Sequence, residues 1–114
     1  MTFGGKSRTK AQDARFDAIK HGHCLACLQR GIDMRGQGLV QVHHLRGKKH
    51  HDETVGLCYW HHQGGTFWGC SHQEMRDHYG PSLAEGSVPF REKFGTNAQL
   101  LKTQNELLQG NTND

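Results

Sequence analysis

Ten of the 114 residues are histidine and four are cysteine, and their spacing points to two kinds of metal chemistry. Cys24 and Cys27 stand either side of two residues in "CLAC", and Cys58 and His61 repeat that interval in "CYWH". Either half alone arises often by chance. Together they offer three thiolates and one imidazole, the ligand set of a closed, tetrahedral, structural zinc site. A redox role for Cys24 and Cys27 would need a βαβ setting that the flanking sequence does not offer. Cys70, with His72 two residues on, is a further candidate for one position. Cys58 has the better interval for a strand-to-helix corner.

His62 follows His61 directly. On a helix the two side chains point about 100° apart, so one ion cannot take both. An earlier pair, His43–His44, closes the stretch "GLVQVHH", in which apolar residues at 40 and 42 flank Gln41. Neighbouring side chains of a strand face opposite sides, so this pair is divided too. One member can share an ion with His62 while the other stands across from it with a free ring nitrogen. Two imidazoles leave most positions of a hard cation open, which suits Mg²⁺ or Mn²⁺. With a neutral histidine placed to accept a proton from water, these are the parts of a phosphodiester hydrolase. The blander readings are a second structural zinc on His43, His44, His62 and His51, or a run of surface histidines.

Such groups need elements to hold them. The length fits one domain, and the 33% hydrophobic content makes a lean core that benefits from a structural metal. Residues 1–10 read as a flexible tail, 11–110 as the folded domain and 111–114 as a frayed end. "AQDARFDAIK" reads as a helix with Ala11, Ala14, Ala18 and Ile19 inward and Phe16 to one side. The Cys24–Cys27 stretch reads as a tight knuckle turn. Residues 38–44 and 54–58 read as two short antiparallel strands joined by a polar loop, and Cys58 opens a helix cut short by Gly64–Gly65. Ser71 with Glu74 forms a capping box for a helix that stops at Gly80–Pro81. "SVPFREKFG" is a short helix with Pro89 in its first turn and Phe90 paired to Phe94. Thr96 and Gln99 cap a last helix that carries Leu100, Leu101, Leu107 and Leu108 and ends at Gly110. The phenylalanines and this stripe belong to the core or to an oligomer face.

The order strand, His-His, loop, strand, then "LCYWHH" opening a helix, all preceded by Cys-x-x-Cys, resembles the HNH or His-Me finger nucleases. More narrowly, "VHHLRG", "TVGLCYWHHQGG", "YGPSLAEG", "PFREKFGT" and "LLKTQNELL" resemble the phage Ref family of RecA-dependent recombination-enhancement nucleases, from about Gly22 to Leu108. That resemblance implies an α+β fold, a small ββα-metal core with a zinc knuckle and flanking helices. It implies a metal-dependent DNA endonuclease acting in phage recombination with RecA-coated DNA, leaving 5′-phosphate and 3′-hydroxyl ends. By the same resemblance His44 is the general base, and His43 and His62 hold the catalytic divalent ion. Cys24, Cys27, Cys58 and His61 hold the structural zinc. The family's middle Asn is missing from "HHDETVGLC"; His51 is its stand-in, with Asp52 and Glu53 as rivals. That departure favours an alternative, a catalytically inactive zinc-stabilised module that binds DNA or RecA; the intact His43, His44 and His62 count against it. The better-known members carry a long basic N-terminal arm, whereas here Lys6, Arg8 and Lys10 are the basic residues before the first helix.

The formal charge of +3 permits a polyanionic partner without demanding one. Arg46, Lys48 and Lys49, in the loop beside the histidines, are the expected phosphate contacts with DNA. Lys6, Arg8, Lys10 and Arg15 could add a second basic stripe, though a solvated face explains them as well. Trp60 and Trp68 could stack on bases, but core packing is the plainer expectation. No apolar run has the length of a membrane helix, and "MTFGGKSRTK" has no apolar signal core. The expected location is therefore a reducing cytoplasm, that of the host if the chain is phage-encoded.

Overall fold

The computed structural model describes residues 8–110, so Lys6, most of the expected tail and the expected frayed end lie outside the described residues. The elements are α1 (Lys10–Lys20), α2 (Leu25–Gln29), β1 (Val40–His44), β2 (Thr54–Cys58), α3 (Tyr59–Gln63), α4 (His72–Tyr79), a 3₁₀ turn (Leu83–Glu85), α5 (Ser87–Phe94) and α6 (Asn97–Gly110). β1 and β2 form an antiparallel pair with Val40 opposite Cys58 and His44 opposite Thr54. Around this hairpin α1, α2, α3 and α6 pack to make a small α+β fold. No described helix is long and apolar enough to cross a membrane.

β2 is buried along its whole length while β1 is mostly half-buried. Gly56 at the middle of β2 permits this close cover. A Cβ there would lie 2.6 Å from the His23 carbonyl oxygen, 3.1 Å from Val40 Cγ1 and 3.2 Å from Ile19 Cγ2. Its N–H, facing away from β1, donates to Gln104 Oε1 at 2.8 Å, so α6 seals an edge that would otherwise stay unpaired. Gly56→Ala is expected to destabilise the fold by about 1–3 kcal/mol, because a backbone carbonyl must yield. A thermal melt of the variant checks this.

Local signals set the helix ends. Ser71 accepts from the Glu74 N–H while Glu74 returns the bond to the Ser71 N–H, and Thr96 and Gln99 do the same ahead of α6. Each such cap contributes about 1 kcal/mol. A third box, Thr9 with Gln12, starts α1 at Lys10, one residue earlier than its apolar pattern indicates. A fourth, Ser82 with Glu85, holds the 3₁₀ turn.

Several expectations are corrected. α1 buries Phe16 and Ile19, while Ala11, Ala14 and Ala18 are exposed, since two large side chains one turn apart remove more apolar area from water than three methyl groups. The Cys24–Cys27 turn forms as expected and runs on into α2. Trp60 is fully buried and donates its indole N–H to the Gly80 carbonyl at 2.9 Å. Trp68, however, is 60% exposed. It sits in a left-handed turn at φ +59°, with its ring edge-on to Phe67 at 5.7 Å. In α6 the buried residues are Leu100 and Gln104, and Leu101, Leu107 and Leu108 are only half-buried.

Candidate functional site

Cys24, Cys27, Cys58 and His61 converge, all buried, with their ligand atoms within 4.8 Å of one another. The N-terminus of α2 carries the first two, and Cys27 N–H donates to Cys24 Sγ at 3.4 Å. The β2-to-α3 corner carries the others, with Cys58 as N-cap of α3 and His61 one turn on. His61 Nδ1 lies 3.4, 3.5 and 3.3 Å from the sulfurs of Cys24, Cys27 and Cys58, and the Cys27 and Cys58 sulfurs are 3.9 Å apart. Tetrahedral zinc bonds of about 2.3 Å to sulfur and 2.0–2.1 Å to nitrogen demand S···S near 3.8 Å and S···N near 3.5 Å. The three sulfur–nitrogen distances and the Cys27–Cys58 distance match that geometry, and the whole donor set lies within 4.8 Å. His61 Nε2–H donates to the Tyr79 carbonyl at 2.7 Å, which fixes the tautomer with Nδ1 free to ligate. Phe94 and Phe90 stand edge-on to the His61 ring at 5.1 and 6.3 Å and keep the site dry.

The electrostatics suit a cation. Burial by itself lowers the His61 imidazole, but hydrogen bonds to Cys24 and Cys58 carry it up to about 10. Hydrogen bonds with Cys24 and Cys58, joined by burial, raise the Cys27 thiol, while bonds with Cys24 and Cys27 hold Cys58 low. Four touching groups thus share protons that one divalent ion can displace together. Cys70 is outside the cluster, half-buried, with its sulfur 3.9 Å from the Trp68 carbonyl.

The other histidines at this end of the hairpin divide into two pairs. His43 faces α3, where its ring centroid lies 5.0 Å from that of His62. His62 Nδ1–H donates to Gln41 Oε1 at 2.8 Å, leaving its Nε2 lone pair available. Gln41 was missed in the sequence, yet it is two residues from His43 and therefore on the same strand face. Burial, then the nearby His62 and His44, pushes His43 down to about 4, and burial lowers His62 as well. Both shifts favour the neutral ring, the form in which an imidazole can ligate a cation.

His44 faces the opposite side, towards α1. Its Nε2 lies 3.2 Å from His51 Nδ1, and Phe16 sits edge-on to both rings, 5.5 Å from His44 and 5.7 Å from His51. Burial, then the charges of His51 and Arg8, lowers the His44 pKa. Asp52 and Glu53 are directed elsewhere: Asp52 accepts from Gln12 at 3.3 Å, and Glu53 pairs with Arg46 at 3.4 Å. Among the described residues, the Cys3His set is the one group of three or more such ligands that converges, and the four histidines stand as two pairs on opposite faces of β1.

Arg46, Lys48 and Lys49 are exposed in the loop between the strands. Arg8 and Arg15 both have partners within the fold. Arg8 is salt-bridged to Asp13 at 2.8 Å and lies over the Phe16 ring, and Arg15 is half-buried in hydrogen bonds.

A hairpin leading into a short helix, with a buried Cys3His cluster at the corner, defines a small α+β protein with a ββα-metal core. The chain belongs to the family described as recombination enhancement, RecA-dependent nuclease, whose model matches residues 8–109. No curated protein matches it.

Proposed function

We propose that this chain is a metal-dependent DNA endonuclease of the HNH, or His-Me finger, type that hydrolyses phosphodiester bonds and works on RecA-coated DNA. The observation that carries the reading is the separation of the histidines by strand alternation: His43 with His62 on one face, His44 with His51 on the other. Zinc in the Cys24, Cys27, Cys58 and His61 site is structural. Mg²⁺ or Mn²⁺ bound at His43 and His62 would supply positive charge for the phosphate and its leaving oxygen.

The protein's own groups do the rest. His44 is the general base. With Nε2–H donating to His51 Nδ1, the His44 Nδ1 lone pair is free to take a proton from the attacking water. His51 then stabilises the imidazolium that forms, which is the service the missing Asn would give. Lys48, Lys49 and Arg46 position the DNA backbone. Lys48→Ala and Lys49→Ala are expected to weaken DNA binding evenly across sequences, each lowering the slope of log affinity against log salt by about 1; salt titrations of binding check this.

The test is nicking of supercoiled plasmid and of single-stranded DNA with Mg²⁺ or Mn²⁺, with and without a RecA filament, with His44→Ala as control. Nicking by the native chain alone supports the reading. Equal nicking by both proteins removes His44 from the mechanism, and no nicking under any condition favours the DNA- or RecA-binding module.

A further inference from the structure

We propose that Arg15, Thr54 and Asn105 are positioning residues, a hydrogen-bonded relay that anchors His51 and so holds it against His44. The proposal deepens the nuclease reading above and rests on it.

Thr54 is fully buried at the start of β2, directly opposite His44 in the hairpin. Its hydroxyl donates to the His51 carbonyl at 3.0 Å and accepts from Arg15 Nε at 2.9 Å. Arg15 also grips the Thr54 carbonyl through Nη2 at 2.6 Å and Asn105 Oδ1 through Nη1 at 2.8 Å. Three acceptors, each met by a different nitrogen of one side chain, suit a guanidinium fork and not an ammonium point charge. Helices α1 and α6, distant in sequence, are thereby tied to the loop that carries His51. Gln104, next to Asn105, binds the Gly56 N–H, so two successive residues of α6 hold β2.

His51 needs such an anchor. Its ring touches His44 and Phe16, but its Nε2 is buried with no hydrogen-bond partner among the described residues. Among the described residues no hydrogen bond fixes the ring on that side. Its placement depends on the backbone, and the Thr54 hydroxyl is the side-chain group that holds the backbone there. The surrounding loop is otherwise exposed from Arg46 to His50. A basic residue serving only solubility would also not be half-buried, where burial lowers its pKa.

The experiment compares Thr54→Val, Thr54→Ser, Arg15→Lys and Asn105→Ala in the full chain. It reads kcat and KM for DNA cleavage with Mn²⁺, zinc per chain, and the imidazole NMR signals of His44 and His51. Thr54→Val and Arg15→Lys are expected to lose about tenfold to a hundredfold in kcat, the scale of a small misplacement of a catalytic group, with KM and zinc content unchanged. Thr54→Ser keeps the hydroxyl and is expected to restore both rate and imidazole signals. Native-like kcat in Thr54→Val, from a native chain that cleaves, overturns the relay and leaves the nuclease reading intact. If the native chain does not cleave, that reading fails, and the relay is judged by the signals: unmoved His51 resonances in Thr54→Val overturn it. Should Thr54→Val lose its zinc and unfold, Asn105→Ala, which frees one arm of Arg15, decides: unchanged kcat and unchanged His51 signals sink the proposal.

Discussion

Cys58→Ser will abolish the cooperative thermal transition, and prolonged treatment of the native chain with a strong chelator will do the same. Cys58 is shared by two elements, as the last residue of β2 and the N-cap of α3. Its sulfur meets Cys27 on α2 and His61 on α3. The site therefore joins α2 to the hairpin, and α5 closes over it through Phe90 and Phe94. Binding free energies of structural zinc are about 10–16 kcal/mol in small zinc-folded peptides. Whole domains are stable by about 5–15 kcal/mol. Removing the ion therefore consumes most or all of the margin of a chain with so lean a core. Circular dichroism melts together with zinc analysis check this, with one structural zinc per native chain expected. Cys70→Ser is the matched control and should melt like the native chain, because Cys70 lies outside the cluster. A melt indifferent to chelation would retire the structural role of zinc.

What the sequence disclosed and what it hid have a common physical reason. Signals that act over three or four residues were legible. Ser71 with Glu74 and Thr96 with Gln99 announce helix starts because the cap and its partner are local. The repeated two-residue interval announces Cys24, Cys27, Cys58 and His61 because each half must fit one corner of backbone. Hidden features depended on what another element brings. Phe16 was set aside in α1 because nothing local says that His44 and His51 will need a wall. Arg15 resembled its solvated neighbours until Thr54 and Asn105 were brought to it from far along the chain. Gln104, a polar residue in the leucine-bearing helix, carries no local signal of burial, yet it is buried because β2 offers it an N–H. Trp68 departs in the other direction: it stays 60% exposed, with its ring edge-on to Phe67 at 5.7 Å, in a left-handed turn that no local sequence signal announces.

The adjacent residues His61 and His62 should give opposite phenotypes. His61→Ala removes a ligand from the buried cluster, so zinc and the folded state should be lost together. His62→Ala should retain zinc and fold while losing cleavage, because the His62 ring meets His43 and Gln41 and takes no part in the Cys3His set. His44→Ala should behave like His62→Ala in fold and zinc content, with kcat reduced about 10²- to 10⁴-fold, the usual contribution of a general base. The pH dependence separates these two. His44 must be neutral to accept a proton, and burial, His51 and Arg8 all push its pKa below the ordinary imidazole value. In the native chain cleavage should therefore be fully present near neutrality and fall only as the pH drops below about 6.5. The residual cleavage of His44→Ala should lack that acid limb. Protons also compete with the divalent ion for His43 and His62, so the profiles must be taken at saturating Mn²⁺, where a limb that survives belongs to the base and not to ion loss. Loss of zinc from His62→Ala would mean that the two neighbouring rings serve one site, and the division of labour on which the mechanism depends would fail.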